Sequence, residues 1–197
     1  MNDILTIAFT LFLIANPLGN TPAILAVVRS FSFEDQRRII FRESLFALGL
    51  ALFFQFFGEV FFALLGIQTW AVGYCGGVLL VMVAMKMIFA KAENEKTPKA
   101  NQQEPFFVPI ATPIISGPGL LTMIMIYSSQ EQNNFKMSAS ILIAWIGVIA
   151  IMVSGPYLQK LLKRRGLIAL EQLMGMILTF MSIDMIVNAT TQFLRQQ

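Results

Sequence analysis

Along this chain the apolar residues gather into runs of the length a bilayer requires, about 20 residues for a helix crossing the hydrocarbon core. Such runs cover residues 4–28, 43–65, 69–90, 106–127, 137–158 and 168–190. Between them lie "RSFSFEDQRRIIFR", a two-residue turn at Ile67-Gln68, "KAENEKTPKANQQE", "SSQEQNNFK" and "QKLLKRRG". The pattern predicts an all-α integral membrane protein, with six transmembrane helices in a single domain over residues 1–197. The first run carries a polar interruption. Its centre reads "ANPLGNTPAIL" at residues 15–25, with two prolines, a glycine, two asparagines and a threonine.

Composition sharpens the class. Hydrophobic residues make up 56% of the chain and charged residues 13%, with mean hydropathy +0.70, well outside the average for a soluble domain. The absence of histidine removes imidazole zinc sites and Ser-His or Cys-His catalytic pairs, so the chain reads as a non-enzyme with no cofactor or metal. Cys75 is the lone cysteine, so an internal disulfide cannot form. The net charge of +3 comes from residues in the short loops, which argues for lipid rather than nucleic acid as the partner. Arg29, Arg37, Arg38, Arg42, Lys86, Lys91, Lys96, Lys99, Lys160, Lys163, Arg164 and Arg165 all fall on one side of the predicted topology, and only Lys136 and Arg195 on the other. Positive loops stay cytoplasmic, so both termini are expected outside, periplasmic in a bacterial inner membrane. The N-terminal run lacks a basic n-region and a small-residue cleavage site, and is read as the first span rather than a signal peptide.

The interruption has a counterpart. Shifted by 96 positions, "ANPLGNTPAIL" aligns with "ATPIISGPGLL" at residues 111–121, and both prolines coincide. A shift of 98 pairs "GVLLVMVAMKMIF" (77–89) with "GMILTFMSIDMIV" (175–187). The chain is thus expected to consist of two three-helix repeats, residues 1–90 and 106–197, joined by a cytoplasmic linker at 91–105. Three is odd, so the second repeat is inverted relative to the first, an arrangement found in secondary transporters whose discontinuous helices meet near the midplane. Helices 1 and 4 are the discontinuous ones here. Proline removes a helical N–H and displaces the carbonyl four residues back, so non-helical backbone is expected over Pro17–Pro22 and Pro113–Gly119, with helix resuming near Ala23 and Leu120. Released carbonyls suit an ammonium or small cation, and helix N-termini suit a carboxylate. Asn16, Pro17, Gly19, Asn20, Thr21, Thr112, Ser116, Gly117 and Gly119 are the candidate solute-binding positions.

"NPLGNTP" in span 1 and "PIISGPG" in span 4, within six spans and about 200 residues, resemble the MarC family of bacterial and archaeal inner-membrane proteins over essentially the whole chain. The resemblance implies two inverted three-helix units with spans 1 and 4 discontinuous. It also implies a small neutral solute, because archaeal members are associated with uptake of glycine and alanine. Family members often carry D-P-x-G where this chain has Asn16-Pro17-Leu18-Gly19, a change that keeps size and removes a charge.

Asp184 lies deep in span 6, and an intramembrane carboxylate is expensive enough to suggest proton or cation coupling; a structural partner on a neighbouring helix is the other reading. Lys86 can snorkel to the cytoplasmic edge, and Glu59 and Glu171 read as interfacial. Gly73, Gly76, Gly77 and Gly175 favour close helix packing. Trp70, Trp145, Tyr127 and Tyr157 are candidate interface anchors, although Trp145 falls inside span 5. These features favour a secondary transporter of a small polar solute, with a channel-like pathway, an exporter of another metabolite, or a non-transporting assembly factor as alternatives. Self-association into a homo-oligomer is left open.

Overall fold

The computed structural model describes residues 3–28, 30–89, 115–131 and 133–195, and among these every regular element is helical. The linker at 91–105, the first half of the expected fourth span, Thr112, Pro113, Arg29, Lys91, Lys96 and Lys99 lie outside the described residues. The helices are α1 (Ile4–Ala15), α2 (Pro17–Val28), α3 (Phe33–Leu64), α4 (Thr69–Ile88) and α5 (Pro118–Gln130). A final helical stretch, Asn134–Arg195, divides at Lys163, whose φ of 53° and ψ of −177° are not helical. We label its parts α6 (Asn134–Lys163) and α7 (Arg165–Arg195).

Among the described residues five segments are long and apolar enough to cross a membrane: Ile4–Val28, Phe33–Leu64, Thr69–Ile88, Asn134–Lys163 and Arg165–Arg195. The second starts ten residues before the run at 43–65, so part of the expected separator is helix. The reason is local. The Ser32 hydroxyl accepts from the Asp35 N–H at 3.3 Å, and Glu34 and Asp35 occupy the first turn, where negative charge is favoured by the helix dipole. The separator between α6 and α7 is likewise mostly helix, broken only at Lys163.

The core runs through all the helices, joining Leu11 and Ile14 of α1, Ile24 of α2, Ile40 and Ala47 of α3, Leu80 of α4, Ile124 of α5, Trp145 of α6 and Leu178 of α7. Large apolar side chains also cover the outside, among them Phe53, Phe57 and Val60 on α3 and Phe180, Ile183 and Val187 on α7. An apolar exterior on polar-ended helices fits acyl chains as the surrounding medium. Trp145 is not an interface anchor. It is 1% exposed, and its indole Nε1–H donates to the Ser44 carbonyl at 2.9 Å.

Helix directions follow from paired contacts. α3 and α6 run antiparallel, since Phe33 meets Tyr157, Ser44 meets Trp145 and Gln55 meets Ser138. The first two helices run parallel to α6, with Phe12 beside Gly147 and Thr21 beside Gly155. α4 and α7 are antiparallel, joined by Tyr74 Oη to Thr190 Oγ1 at 2.8 Å and by Gln172 Nε2 to the Ile88 carbonyl at 3.2 Å. Their close approach uses the expected glycines. A Cβ on Gly77 would lie 2.6 Å from Ile186 Cγ1 and 3.2 Å from the Ser182 carbonyl, and one on Gly175 would lie 3.1 Å from Ile88 Cγ1 and 3.0 Å from the Ala84 carbonyl.

One polar clamp ties three helices together at the Asn134 end. Gln55, 4% exposed, donates from Nε2 to the Asn134 carbonyl at 3.1 Å and to Ser138 Oγ at 2.8 Å, and its backbone carbonyl accepts from Ser128 Oγ at 2.8 Å. Gln55→Leu strands buried polar groups and is expected to cost about 2 kcal/mol. Thermal melting of the purified variant checks this; a melting temperature equal to that of the unsubstituted chain contradicts it.

Candidate functional site

The first break is a single residue. Asn16 adopts φ 50° and ψ 51°, the left-handed conformation that asparagine tolerates better than other residues with a Cβ, and α2 resumes at Pro17. The expected unwinding from Pro17 to Pro22 is therefore corrected, as is the resumption near Ala23. Proline at the first helical position loses nothing, because the N–H there has no intrahelical acceptor, and its fixed φ suits the helix. Pro22 sits inside α2. Pro118 is likewise the first residue of α5, two residues before the expected Leu120, with Gly117 as its cap at φ −67° and ψ 159°.

Asn16 is 1% exposed and serves both helix ends at once. Its backbone N–H donates to the Phe12 and Leu13 carbonyls, both at 3.1 Å, so the carbonyl that Pro17 would orphan is satisfied. Its side-chain Oδ1 accepts from the Gly19 N–H at 3.2 Å, and Nδ2 donates to Met87 Sδ at 3.2 Å. Asn20 Nδ2 donates to the Ala15 carbonyl at 3.0 Å, and Thr21 Oγ1 donates to the Pro17 carbonyl at 2.7 Å. A Cβ on Gly19 would press on Met87 Cε and lie 2.6 Å from the Asn16 amide, so a side chain there would displace the two groups that meet at the break.

The second break is described from Ile115 onward. Ser116 is fully buried and donates from Oγ to the Ala47 carbonyl of α3 at 2.9 Å. Gly117 provides no side-chain cap, so the first turn of α5 carries backbone N–H groups that no capping side chain accepts. Gly119 packs against Leu80, with a would-be Cβ 2.4 Å from Cγ. Both breaks thus lean on α4, the first at Met87 and the second at Leu80. Seven helical residues separate these, so both face one side of α4, about 10 Å apart along its axis. α1 also packs against α5 directly. Asn16, Pro17, Gly19, Asn20 and Thr21 form one tight group, and Ser116, Gly117 and Gly119 a second that shares the α4 wall.

Asp184 stands apart. It is on the exposed face of α7, where Oδ2 accepts from Asn188 Nδ2 at 3.0 Å, and it belongs to neither group. Among the described residues the buried carboxylate is Glu43 of α3, 0% exposed, with Oε1 paired to Arg42 and Oε2 without a hydrogen-bond partner. Its burial is hidden in the sequence, since "RRIIFRES" has the composition of the polar end of a span. Once α3 starts at Phe33, helical spacing puts Glu43 on the buried stripe with Ile39, Ile40, Ala47 and Ala51.

A MarC family model, described as an integral membrane protein, matches residues 1–194. The chain belongs to the MarC family. Relatives of this MarC chain include the UPF0056 inner membrane protein YhgN of Escherichia coli K12, 35% identical over 99% of this chain and 100% of its own length. A UPF0056 membrane protein of Buchnera aphidicola from Acyrthosiphon pisum is 35% identical over 95% of this chain and 96% of its own. One from Chlamydia trachomatis is 32% identical over 96% and 93%. No solved structure matches. The MarC assignment agrees with an all-helical membrane protein whose spanning segments carry buried polar breaks.

Proposed function

We propose that this MarC protein is a secondary transporter of a small polar solute, most simply a neutral amino acid of glycine or alanine size. It is read as a carrier rather than an enzyme, in the inner membrane with both termini outside. The observation that carries the reading is the buried left-handed break at Asn16, inside a membrane-spanning segment and beside a second helix start that shares its α4 wall. Non-helical backbone at membrane depth is tolerated where it is packed in protein or lines a cavity, and paired breaks of this kind bind solute in carriers built from inverted repeats.

Support for the repeats comes from α4 and α7. Gly77 touches Ser182 and Ile186, while Gly175 touches Ala84 and Ile88. Under the 98-residue shift the second set is the first with the two helices exchanged, the relation a two-fold axis in the membrane plane imposes. In the sequence, spans 1 and 4 correspond at a shift of 96.

The chemistry follows from what is bonded at the breaks. Asn20 Nδ2 occupies the Ala15 carbonyl at the end of α1, where a solute ammonium would displace it, and the uncapped N–H groups of α5 suit its carboxylate. The conformation described is therefore closed, and opening exchanges internal hydrogen bonds for solute. The driving-ion role expected of Asp184 gains no support from its surroundings. Asp184→Asn decides it: loss of gradient-driven accumulation with counterflow intact supports coupling there, and retention of both assigns that residue another role.

The test is counterflow of labelled glycine and alanine in proteoliposomes. A carrier shows saturation and acceleration by solute on the far side, and Asn20→Leu and Ser116→Leu are expected to abolish both. Flux that ignores far-side solute points to a channel, and no flux removes the transporter reading.

A further inference from the structure

Glu43 is the buried titratable group that neither the helix packing nor the solute site uses. Both contacts from Arg42 converge on one oxygen, Nη2 at 3.1 Å and Nε at 3.2 Å from Oε1, leaving Oε2 buried with no donor. A carboxylate kept only to hold the fold is expected to have both oxygens satisfied, since a partly satisfied buried ion pair is worse than an apolar replacement. Arg42 is 33% exposed at its side chain and lines a groove near the start of α3 with Asp35 and Arg38 and with the apolar Ile39, Phe41, Leu45 and Phe46, so the cationic side of the pair lies at the surface. One helical turn beyond Glu43, the Ala47 carbonyl accepts from Ser116, the residue before the cap of α5. Glu43 therefore sits beside the partly exposed Arg42 and one helical turn from the residue that holds the second break.

We propose that Glu43 is a proton-binding site that couples solute movement to a proton gradient; the coupling rests on the transporter reading above, whereas the proton binding does not. A proton from hydronium that reaches the Arg42 side of the pair transfers to Oε2. One O–H bond breaks and one forms, water is left behind, and the anionic carboxylate becomes a neutral acid while Arg42 keeps its charge. A metal ion fits poorly, because hard cations take six or more oxygens, Glu43 offers one unpartnered oxygen, and no group of three His, Cys, Asp or Glu capable of holding a metal occurs among the described residues.

The charges of neighbouring elements lie elsewhere. α3 packs against α2, α5 and the helical stretch Asn134–Arg195, whose α7 part carries Arg165, Glu171, Asp184 and Arg195, with Asp184 on the exposed face and bonded to Asn188. α2 has no titratable side chain, and α5 has Tyr127, next to the Ser128 that bonds Gln55, twelve residues along α3 from Glu43. On α6, Lys136 is held by Glu131 at the Asn134 end. Tyr157 and Lys160 meet Phe33, with Arg37 over the Tyr157 ring, and Lys163 lies beyond them. Phe33 precedes Glu43 by ten residues, about 15 Å along the helix. On its own helix Arg42 is the charged partner, with Glu34, Asp35, Arg37 and Arg38 toward the start.

Two measurements decide the proposal. In proteoliposomes, Glu43→Gln is expected to lose gradient-driven accumulation of glycine and alanine entirely while counterflow without a gradient persists. Accumulation that survives, or joint loss of accumulation and counterflow in a variant that melts like the unsubstituted chain, overturns coupling at Glu43. Joint loss in a variant that no longer melts like the unsubstituted chain also overturns it, in favour of a structural carboxylate. The second readout needs no transport. Dicyclohexylcarbodiimide, which attacks protonated carboxyls in apolar surroundings, is expected to label Glu43 increasingly as pH falls, as read by peptide mass spectrometry on the intact chain. Absence of a pH-dependent adduct at Glu43 overturns proton binding even if the chain proves not to be a carrier. An adduct without counterflow in the unsubstituted protein upholds proton binding and removes the transporter reading alone.

Discussion

Asn16→Leu is expected to destabilise the protein by about 3 kcal/mol and to abolish any flux that depends on the break. Two terms add. Leucine in the left-handed region costs about 1–2 kcal/mol where asparagine is tolerated, and losing the side chain that accepts from Gly19 N–H costs about 1 kcal/mol, as for other N-cap residues. The terms separate in a second variant. Asn16→Gly relieves the φ of 50° but still loses the cap and the Met87 contact, so it is expected to cost about half as much. Thermal melting in one detergent compares them directly. Equal losses for the two substitutions would show that backbone conformation at this position carries no energy.

Gly119→Ala is expected to destabilise the protein by about 1–3 kcal/mol. The new Cβ would meet Leu80 Cγ at 2.4 Å and Cδ2 at 2.8 Å, and Leu80 is 6% exposed and held at its branch point rather than by a flexible tip. Leu80→Ala alone leaves a cavity costing about 2–5 kcal/mol. Combined with Gly119→Ala, it vacates the space the new methyl needs, so the double variant is expected to fall short of the sum by about 1 kcal/mol or more. Gly49→Ala is the contrasting case. Nothing lies within 4 Å of its would-be Cβ on the exposed face of α3, so the gain in helix propensity is expected to stabilise by about 0.5–1 kcal/mol. If Gly49→Ala and Gly119→Ala melt alike, the packing of α5 on α4 described here is incorrect.

Much of this architecture was legible in the residues, for reasons particular to each part. Hydropathy puts an apolar run at 4–28, and the helices Ile4–Ala15 and Pro17–Val28 fill it, because an apolar segment of that length satisfies its backbone groups internally as helix. Gly73, Gly76, Gly77 and Gly175 were read as packing positions and do pack, since a missing side chain has few other uses in an apolar helix. The interruption was also visible, but its width was not. Prolines were weighed as helix breakers, whereas Pro17 and Pro118 begin helices and the single left-handed residue Asn16 makes the turn. Which carboxylate is buried was hidden for a different reason. In a chain where lipid-facing and core-facing residues are equally apolar, periodicity has little contrast, and depth along a span says nothing about the face occupied. Asp184 is deep and faces outward, off the stripe of Leu178, Ser182, Met185 and Ala189; Glu43 sits close to a charged end and faces inward. Gln55 was passed over as one polar residue in a long span, yet its position opposite Ser138 makes it a junction of three helices.

The most direct measurement is the melting temperature of the purified chain as glycine or alanine is titrated in. A solute that binds the folded state alone stabilises it by about 2.7 kcal/mol at a hundred times its Kd. A saturable rise in melting temperature with small neutral amino acids, abolished in both Asn20→Leu and Ser116→Leu, is the predicted result. No rise with either amino acid, or an equal rise in both variants, would contradict a solute site built from the two helix breaks.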